Sequence, residues 1–412
     1  MDSQLRTGKA HKVAGIHIDE LRPKKALLNP SKFSGYLRGR QELVRYRSIT
    51  ERKMFDKYRG SRNKLTALVF DDVDVAFVTC TSRRNRALLA PKKKKTGEKR
   101  TKGPTEGEEE PEYEPWRATT CIMDEAGCAN PLHFMTPMTT VSPTLRRYVL
   151  AGDHLQLPPY CSSQDVLKYW PKSALHDLLE VKKVDTALLN TQYRSHGKLF
   201  AAADELIYKN KVNSRYKTEE PRLFLTNLQR NLPTRIYTDQ NMGELTTYSN
   251  FVNVNYGEEE SRYQGSSRNL AEVSVIKGMV RALIDKKCPR GGIAILTGYL
   301  WQLESLEKMV QSHDDWKGVK VLNADRCQGR EYEIVIISLV KTREPPGSIG
   351  DRFRSNVIVT RSREARFFVG NWAFWSRPAK LDSNFETMHR LIQHMHYNSG
   401  KEPFCVNMKD RK

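Results

Sequence analysis

Short apolar runs alternate with amphipathic stretches along most of the chain. VDVAFVTCTS (73–82), TTCIMDE (119–125), RRYVLAGD (146–153), GGIAILTGY (291–299), EIVIISLV (333–340), SNVIVT (355–360) and RFFVGN (366–371) are short, β-branched and bounded by polar residues or glycine. Length and composition predict buried strands at each. Between them, LAEVSVIKGMVRALI (270–284) places Val273, Ile276, Val280 and Leu283 on one helical face, and WQLESLEKMV (301–310) does so with Leu303, Leu306 and Val310. Near the start, Leu43, Tyr46 and Ile49 share a helical face within QELVRYRSITERKMFDKY. Strand alternating with helix predicts an α/β protein with mostly parallel sheets.

The pattern breaks at 91–115, PKKKKTGEKRTKGPTEGEEEPEYEP. A basic block gives way to an acidic one, with almost no apolar residue to bury, and this predicts a disordered insertion. The expected organisation is a basic helical region at 1–66, a first domain at 67–190 carrying that insertion, a second at 191–375, and a basic tail at 376–412 with a terminal helix and a loose end. The domain strings place their chemistry-bearing residues at the C-terminal ends of strands, where ligands bind in open α/β sheets.

Composition narrows the partners. The 412 residues carry a net charge of +21, which favours polyanions, because phosphate contacts release counterions. Seven scattered cysteines with no CxxC pair give neither a zinc site nor a disulfide framework. No apolar run approaches the ~20 residues that span a bilayer, and the first residues, MDSQLRTGKAHK, lack the apolar core of a signal peptide. The expectation is an intracellular protein, nuclear or cytoplasmic, with no membrane partner.

Five strings carry candidate chemistry. Asp124 and Glu125 end a predicted strand; in nucleotide hydrolysis one such acid holds Mg²⁺ and the next orients the attacking water. Alone, an Asp-Glu pair is more often an acidic turn. AGDHLQLPP (151–159) follows the next strand, and its Gln156 can bond both a phosphate oxygen and a water. NTQYRSH (190–196) sets Tyr193 beside Arg194, a ring for a base and a guanidinium for phosphates. DRCQGRE (325–331) precedes EIVIISLV. NVIVTRSR (356–363) places Arg361 directly after a predicted strand, where an arginine can act on a transferring phosphoryl group. Each lone arginine is more often a surface ion-pair partner, but five strings in this order make coincidence remote.

Together DEAG, GDHLQLPP, QYRSH, ILTGY, DRCQGREYEIVIIS and NVIVTRSR resemble superfamily 1 helicases, the branch that includes the nonsense-mediated mRNA decay helicase. VDVAFVTCTS resembles that family's strand before DEAG. The resemblance implies a P-loop NTPase fold of two RecA-like domains, the first incomplete, with ATP between them and single-stranded RNA or DNA across the top. It implies that Asp124 holds Mg²⁺, Glu125 activates water and Gln156 senses the γ-phosphate. Tyr193 would stack on the adenine, Glu331 would contact the ribose with Gly329 beside it, and Arg194 and Arg361 would be arginine fingers. Thr297, Tyr299 and Thr360 would meet the nucleic acid.

The family's phosphate loop, GxxxxGK[ST], does not occur in residues 1–120; the nearest string, RTGKA (6–10), has Ala where Ser or Thr is needed. A truncated gene model, a fragment or a degenerate paralogue would each account for this. The expectation is weak or absent ATP hydrolysis by the chain alone, with a non-enzymatic nucleic-acid-binding module as the alternative. Smaller departures are Ser195-His196-Gly197, Gly298 within Thr297-Gly298-Tyr299, and Cys327 before Gln328.

Overall fold

The computed structural model describes residues 89–91, 113–115, 118–141, 144–160, 172–216, 249–262, 266–285, 287–343, 345–378, 386–397 and 405–407. The predicted strand at 73–82 and the helical face of Leu43, Tyr46 and Ile49 lie outside these residues. The chain forms two compact units, residues 1–152 and 153–412. The string AGDHLQLPP is therefore divided, and residues 153–190 group with the second unit.

In the first unit, β1 (Leu89–Pro91) pairs antiparallel with β2 (Tyr113–Pro115). The two ends of the predicted insertion thus form a ribbon, a correction to a loop structureless throughout. Its inner residues lie outside the described ones. β3 (Thr120–Met123) runs parallel to β4 (Arg147–Leu150), with Ile122 opposite Val149. The helix α1 (Pro131–Val141) connects them, as parallel strands require a crossover. Both strands fall where the apolar runs put them. Burial differs from expectation: Met123 is buried, but Ile122 is 70% exposed.

In the second unit β5 (Thr191–His196) pairs parallel with β6 (Asn213–Tyr216) across α2 (Gly197–Ala203), a two-stranded sheet of its own. The main sheet of the unit begins in chain order with β7 (Ser249–Asn253), followed by a small antiparallel hairpin of β8 (Glu260–Ser261) and β9 (Ser267–Arg268). Then come α3 (Leu270–Asp285), β10 (Ile293–Thr297), α4 (Leu300–Gln311), β11 (Lys320–Leu322) and β12 (Tyr332–Ser338). The helix α5 (Arg352–Val359), β13 (Ser362–Gly370), α6 (Thr387–Tyr397) and β14 (Cys405–Asn407) complete it.

The main sheet has the order β11-β10-β12-β13-β7-β14, every pair parallel. Ile293, Ile295, Ile334, Ile336, Phe367 and Val369 pack on one face against Ile276, Val280 and Leu283 of α3 and Leu306 of α4. The alternate positions Ala294, Leu296, Val335, Ile337 and Phe368 are equally buried. Burial on both faces explains why these strands read as unbroken apolar runs.

Two expectations fail here. SNVIVT is not a strand but the end of α5, whose start is capped by Asp351 accepting from the Arg354 amide at 3.0 Å. A buried five-residue run has no periodicity that separates helix from strand; the aspartate four residues before Ser355 is the cue that does. The tail is not only a helix and a loose end, since its β14 adds an edge strand to the sheet.

Candidate functional site

Asp124 and Glu125 follow β3 directly, as expected. Glu125 has φ 52°, the left-handed region that costs a non-glycine residue energy. The Asp124 carboxylate steadies the turn, its Oδ1 accepting from the Glu125 amide at 2.9 Å. The Ala126 amide donates to the Ala151 carbonyl at 2.9 Å. Gly152 permits this close packing: a Cβ there would lie 2.7 Å from the Ala126 nitrogen and 2.8 Å from that of Gly127. Both carboxylates are exposed, on a turn held by its neighbours.

In the second unit the predicted residues gather at the N-terminal edge of the main sheet. Glu331 immediately precedes β12, and Arg361 immediately precedes β13. β5 lies against this edge, with the Ser195 hydroxyl donating to the Ser362 carbonyl at 2.5 Å. Glu331 thus stands before its strand, as the sequence placed it; the placement at a C-terminal strand end is overturned for Arg361 and holds for Thr297 and for Asp124.

Gln192, Tyr193, Arg194, Ser195, Phe200, Glu331 and Thr360 line an open cleft of about 390 Å³, within the usual range for small-molecule sites. The Tyr193 ring is 64% exposed. Arg194 Nε donates to Glu331 Oε2 at 2.8 Å, and its Nη1 donates to the Thr360 carbonyl at 3.1 Å. Arg363 Nη1 lies 3.3 Å from Glu331 Oε1 and 3.5 Å from Glu333. The Arg194 hydrogen bond, reinforced by the arginine charges around it, holds the Glu331 carboxyl below the usual carboxylate range. Gly329 has φ 70°, a conformation that favours glycine and lets the chain turn into β12.

Arg361 is not a free side chain on a strand end. It is 1% exposed, and its guanidinium donates to the Val357 carbonyl at 2.8 Å, the Arg330 carbonyl at 3.3 Å and Thr360 Oγ1 at 2.9 Å. Its Nη2 also reaches Gln156 Oε1 at 3.4 Å, so two residues expected to share one task are in contact. Thr360 is buried, its hydroxyl donating to the Asn356 carbonyl at 2.7 Å. Thr297 and Tyr299 are buried as well, and the Tyr299 hydroxyl donates to the Pro346 carbonyl. None of these three side chains presents a surface to a strand here.

The family model described as an AAA domain matches residues 171–373, and a second AAA-domain model matches 112–164. The chain is 27% identical over 272 residues to the DNA polymerase alpha-associated DNA helicase A of Saccharomyces cerevisiae, covering 61% of this chain and 38% of that one. It is 26% identical over 301 residues to the DNA replication ATP-dependent helicase/nuclease of Bos taurus, covering 68% and 26%. The AAA-domain matches and the helicase relatives together support a superfamily 1 helicase. It spans roughly a quarter to two fifths of the length of these two relatives. The arterivirus nonstructural protein 10 helicase structure covers 61% of this chain and 38% of its own, at 13% identity and a TM-score of 0.29, a likeness too slight to bear on the reading.

For a superfamily 1 helicase, sequence reasoning missed several residues around this edge. Arg363 was quoted in its string but given no role, and Asp153 was passed over for Gln156. Asn356 opens that same string and likewise had no role, and Tyr208 carried no signal of its own. Among the described residues no cluster of three His, Cys, Asp or Glu side chains could hold a metal, and none of the helices is long and apolar enough to cross a membrane.

Proposed function

We propose that the chain is the working part of an ATP-dependent superfamily 1 helicase that moves on single-stranded RNA or DNA, in the nucleus or cytoplasm. The observation that carries this is the convergence of β5, the Glu331 turn and the end of α5 on one cleft, with the exposed Tyr193 ring beside Arg194, itself paired with Glu331. The proposed domains are those of the motif order, 67–190 and 191–375. Tyr193 offers its ring to the adenine, Glu331 accepts from the ribose with Gly329 giving close approach, and Arg194 and Arg361 meet phosphate charge.

The residues fit Mg²⁺. That ion is commonly held by one or two carboxylates, with phosphates and water completing its shell, and Asp124 is an exposed carboxylate on a fixed turn. Bound Mg²⁺ neutralises charge developing on the phosphates. Glu125, adjacent and exposed, would orient and deprotonate the attacking water, and Gln156 would report the γ-phosphate. Thr297, Tyr299 and Thr360 are proposed to shape the strand-contacting segments from within rather than touch the strand through their side chains, since all three are buried.

A second reading, a binding module without a motor, is favoured by the absence of a GxxxxGK[ST] string in residues 1–120. ATP turnover with and without single-stranded RNA or DNA separates the two. In a chain supplied at its N-terminus with a GxxxxGK[ST] loop, strand-stimulated turnover is expected, with Glu125→Gln lowering it about 10²-fold or more. Full turnover in that variant removes the role of Glu125, and strand binding without turnover supports the second reading.

A further inference from the structure

We propose that Tyr208 and Asn356 are positioning residues of the nucleotide site, holding Gln156 and Arg361 in register for the terminal phosphate of a nucleoside triphosphate. The inference rests on the function proposed above, because that function aims Gln156 and Arg361 at this phosphate.

The contacts form one connected set. The Tyr208 hydroxyl donates to Asp153 Oδ2 at 2.6 Å and accepts from Asn356 Nδ2 at 2.9 Å. The same Asp153 oxygen accepts from Gln156 Nε2 at 2.9 Å. With its NH₂ spent there, the Gln156 amide turns its oxygen toward Arg361 Nη2, 3.4 Å away. Asp153 Oδ1 is occupied separately, by the Leu155 amide at 2.9 Å. Asn356 Nδ2 also donates to the Leu155 carbonyl at 2.9 Å, so α5 grips the Asp153–Gln156 turn one helical turn before delivering Arg361.

Three features separate this from a tyrosine that merely satisfies its hydroxyl in a core. Its partners lie 55 and 148 residues away along the chain, and its hydroxyl bonds both. Asp153 bonds Gln156 directly, and Asn356 connects to Arg361 through the Thr360 hydroxyl. Burial and the Asp153 charge hold the hydroxyl protonated well above its ordinary range, so it stays a donor at any working pH. A glutamine amide can flip its oxygen and nitrogen at little cost in shape, and a fixed Asp153 is what selects one orientation.

The test uses the full chain and Tyr208→Phe, which removes the hydroxyl and keeps the ring. Affinities for a non-hydrolysable ATP analogue and for ADP are measured by calorimetry. The variant, and Asn356→Ala beside it, should bind the triphosphate about ten-fold more weakly while ADP affinity changes by less than about two-fold, the loss of one hydrogen-bonded constraint. An equal loss for both nucleotides, or no loss for either, overturns the inference. If the unaltered chain binds neither nucleotide, the proposed function fails on its own account. A double-mutant cycle of Tyr208→Phe with Gln156→Ala on the unfolding midpoint then decides: coupling supports the network, and additivity overturns it.

Discussion

Glu272 shows how far a single side chain is shaped by its surroundings. It is wholly buried in α3, where its carboxyl accepts from the Ser338 hydroxyl at 2.6 Å and from the Val340 amide at 2.9 and 3.0 Å. Val340 has φ 64°, an outlier for a β-branched residue, and the Lys341 amide donates to the Leu339 carbonyl at 2.7 Å across it. That is a strained three-residue turn, held by the carboxyl. Burial pushes Glu272 up to about 8, above its unfolded value. Its contribution to stability is therefore full below about pH 4.5 and is lost as pH rises through about 8. The unfolding midpoint should fall across that window, and Glu272→Gln should flatten the fall. A second residue-scale outcome concerns the cleft. Arg194→Ala should return the Glu331 carboxyl toward its ordinary value, read by NMR titration; an unchanged titration would mean that another group sets it.

At the scale of elements, α5 is the decisive piece. It delivers Thr360 and Arg361 to the sheet edge and carries Asn356 on its inner side. The helix depends on its N-cap, so Asp351→Ala should cost about 1 kcal/mol, measured by denaturant unfolding. Wild-type stability in that variant would show that packing of Val357, Ile358 and Val359 is enough. The same helix shows where sequence reading stops. The strands β10, β12 and β13 were legible because their runs are long and flanked by turns, and α3 and α4 because sixteen- and twelve-residue helices display a full amphipathic period. An eight-residue helix with a wholly buried second half displays none. Nor does β14, three residues that become a strand only because β7 offers an open edge.

For the whole molecule, charge is the property that acts at a distance. An excess of 21 positive charges should make binding to single-stranded RNA or DNA weaken steeply with salt, log K falling with log salt at about −0.7 per phosphate contact. A flat response in a salt titration would remove phosphate neutralisation as the source of affinity. The same measurement on both nucleic acids reports whether the chain prefers one sugar, a choice that the 2′-hydroxyl governs.

The sequence by itself pointed to the family, established the α/β class and singled out four residues that line the cleft, Tyr193, Arg194, Glu331 and Thr360. These depend on local strings and on periodicity, which survive without knowledge of long-range contacts. Only the tertiary structure decided what those residues do to one another. Arg361 read as a finger on phosphate and is instead buried, its guanidinium bonded to two backbone carbonyls and the Thr360 hydroxyl. Thr297 and Tyr299 read as surface contacts and lie inside. Tyr208, silent in the sequence, joins Asp153 to Asn356 across the fold. Burial and hydrogen-bond partners are properties of pairs far apart along the chain, and no local pattern encodes them.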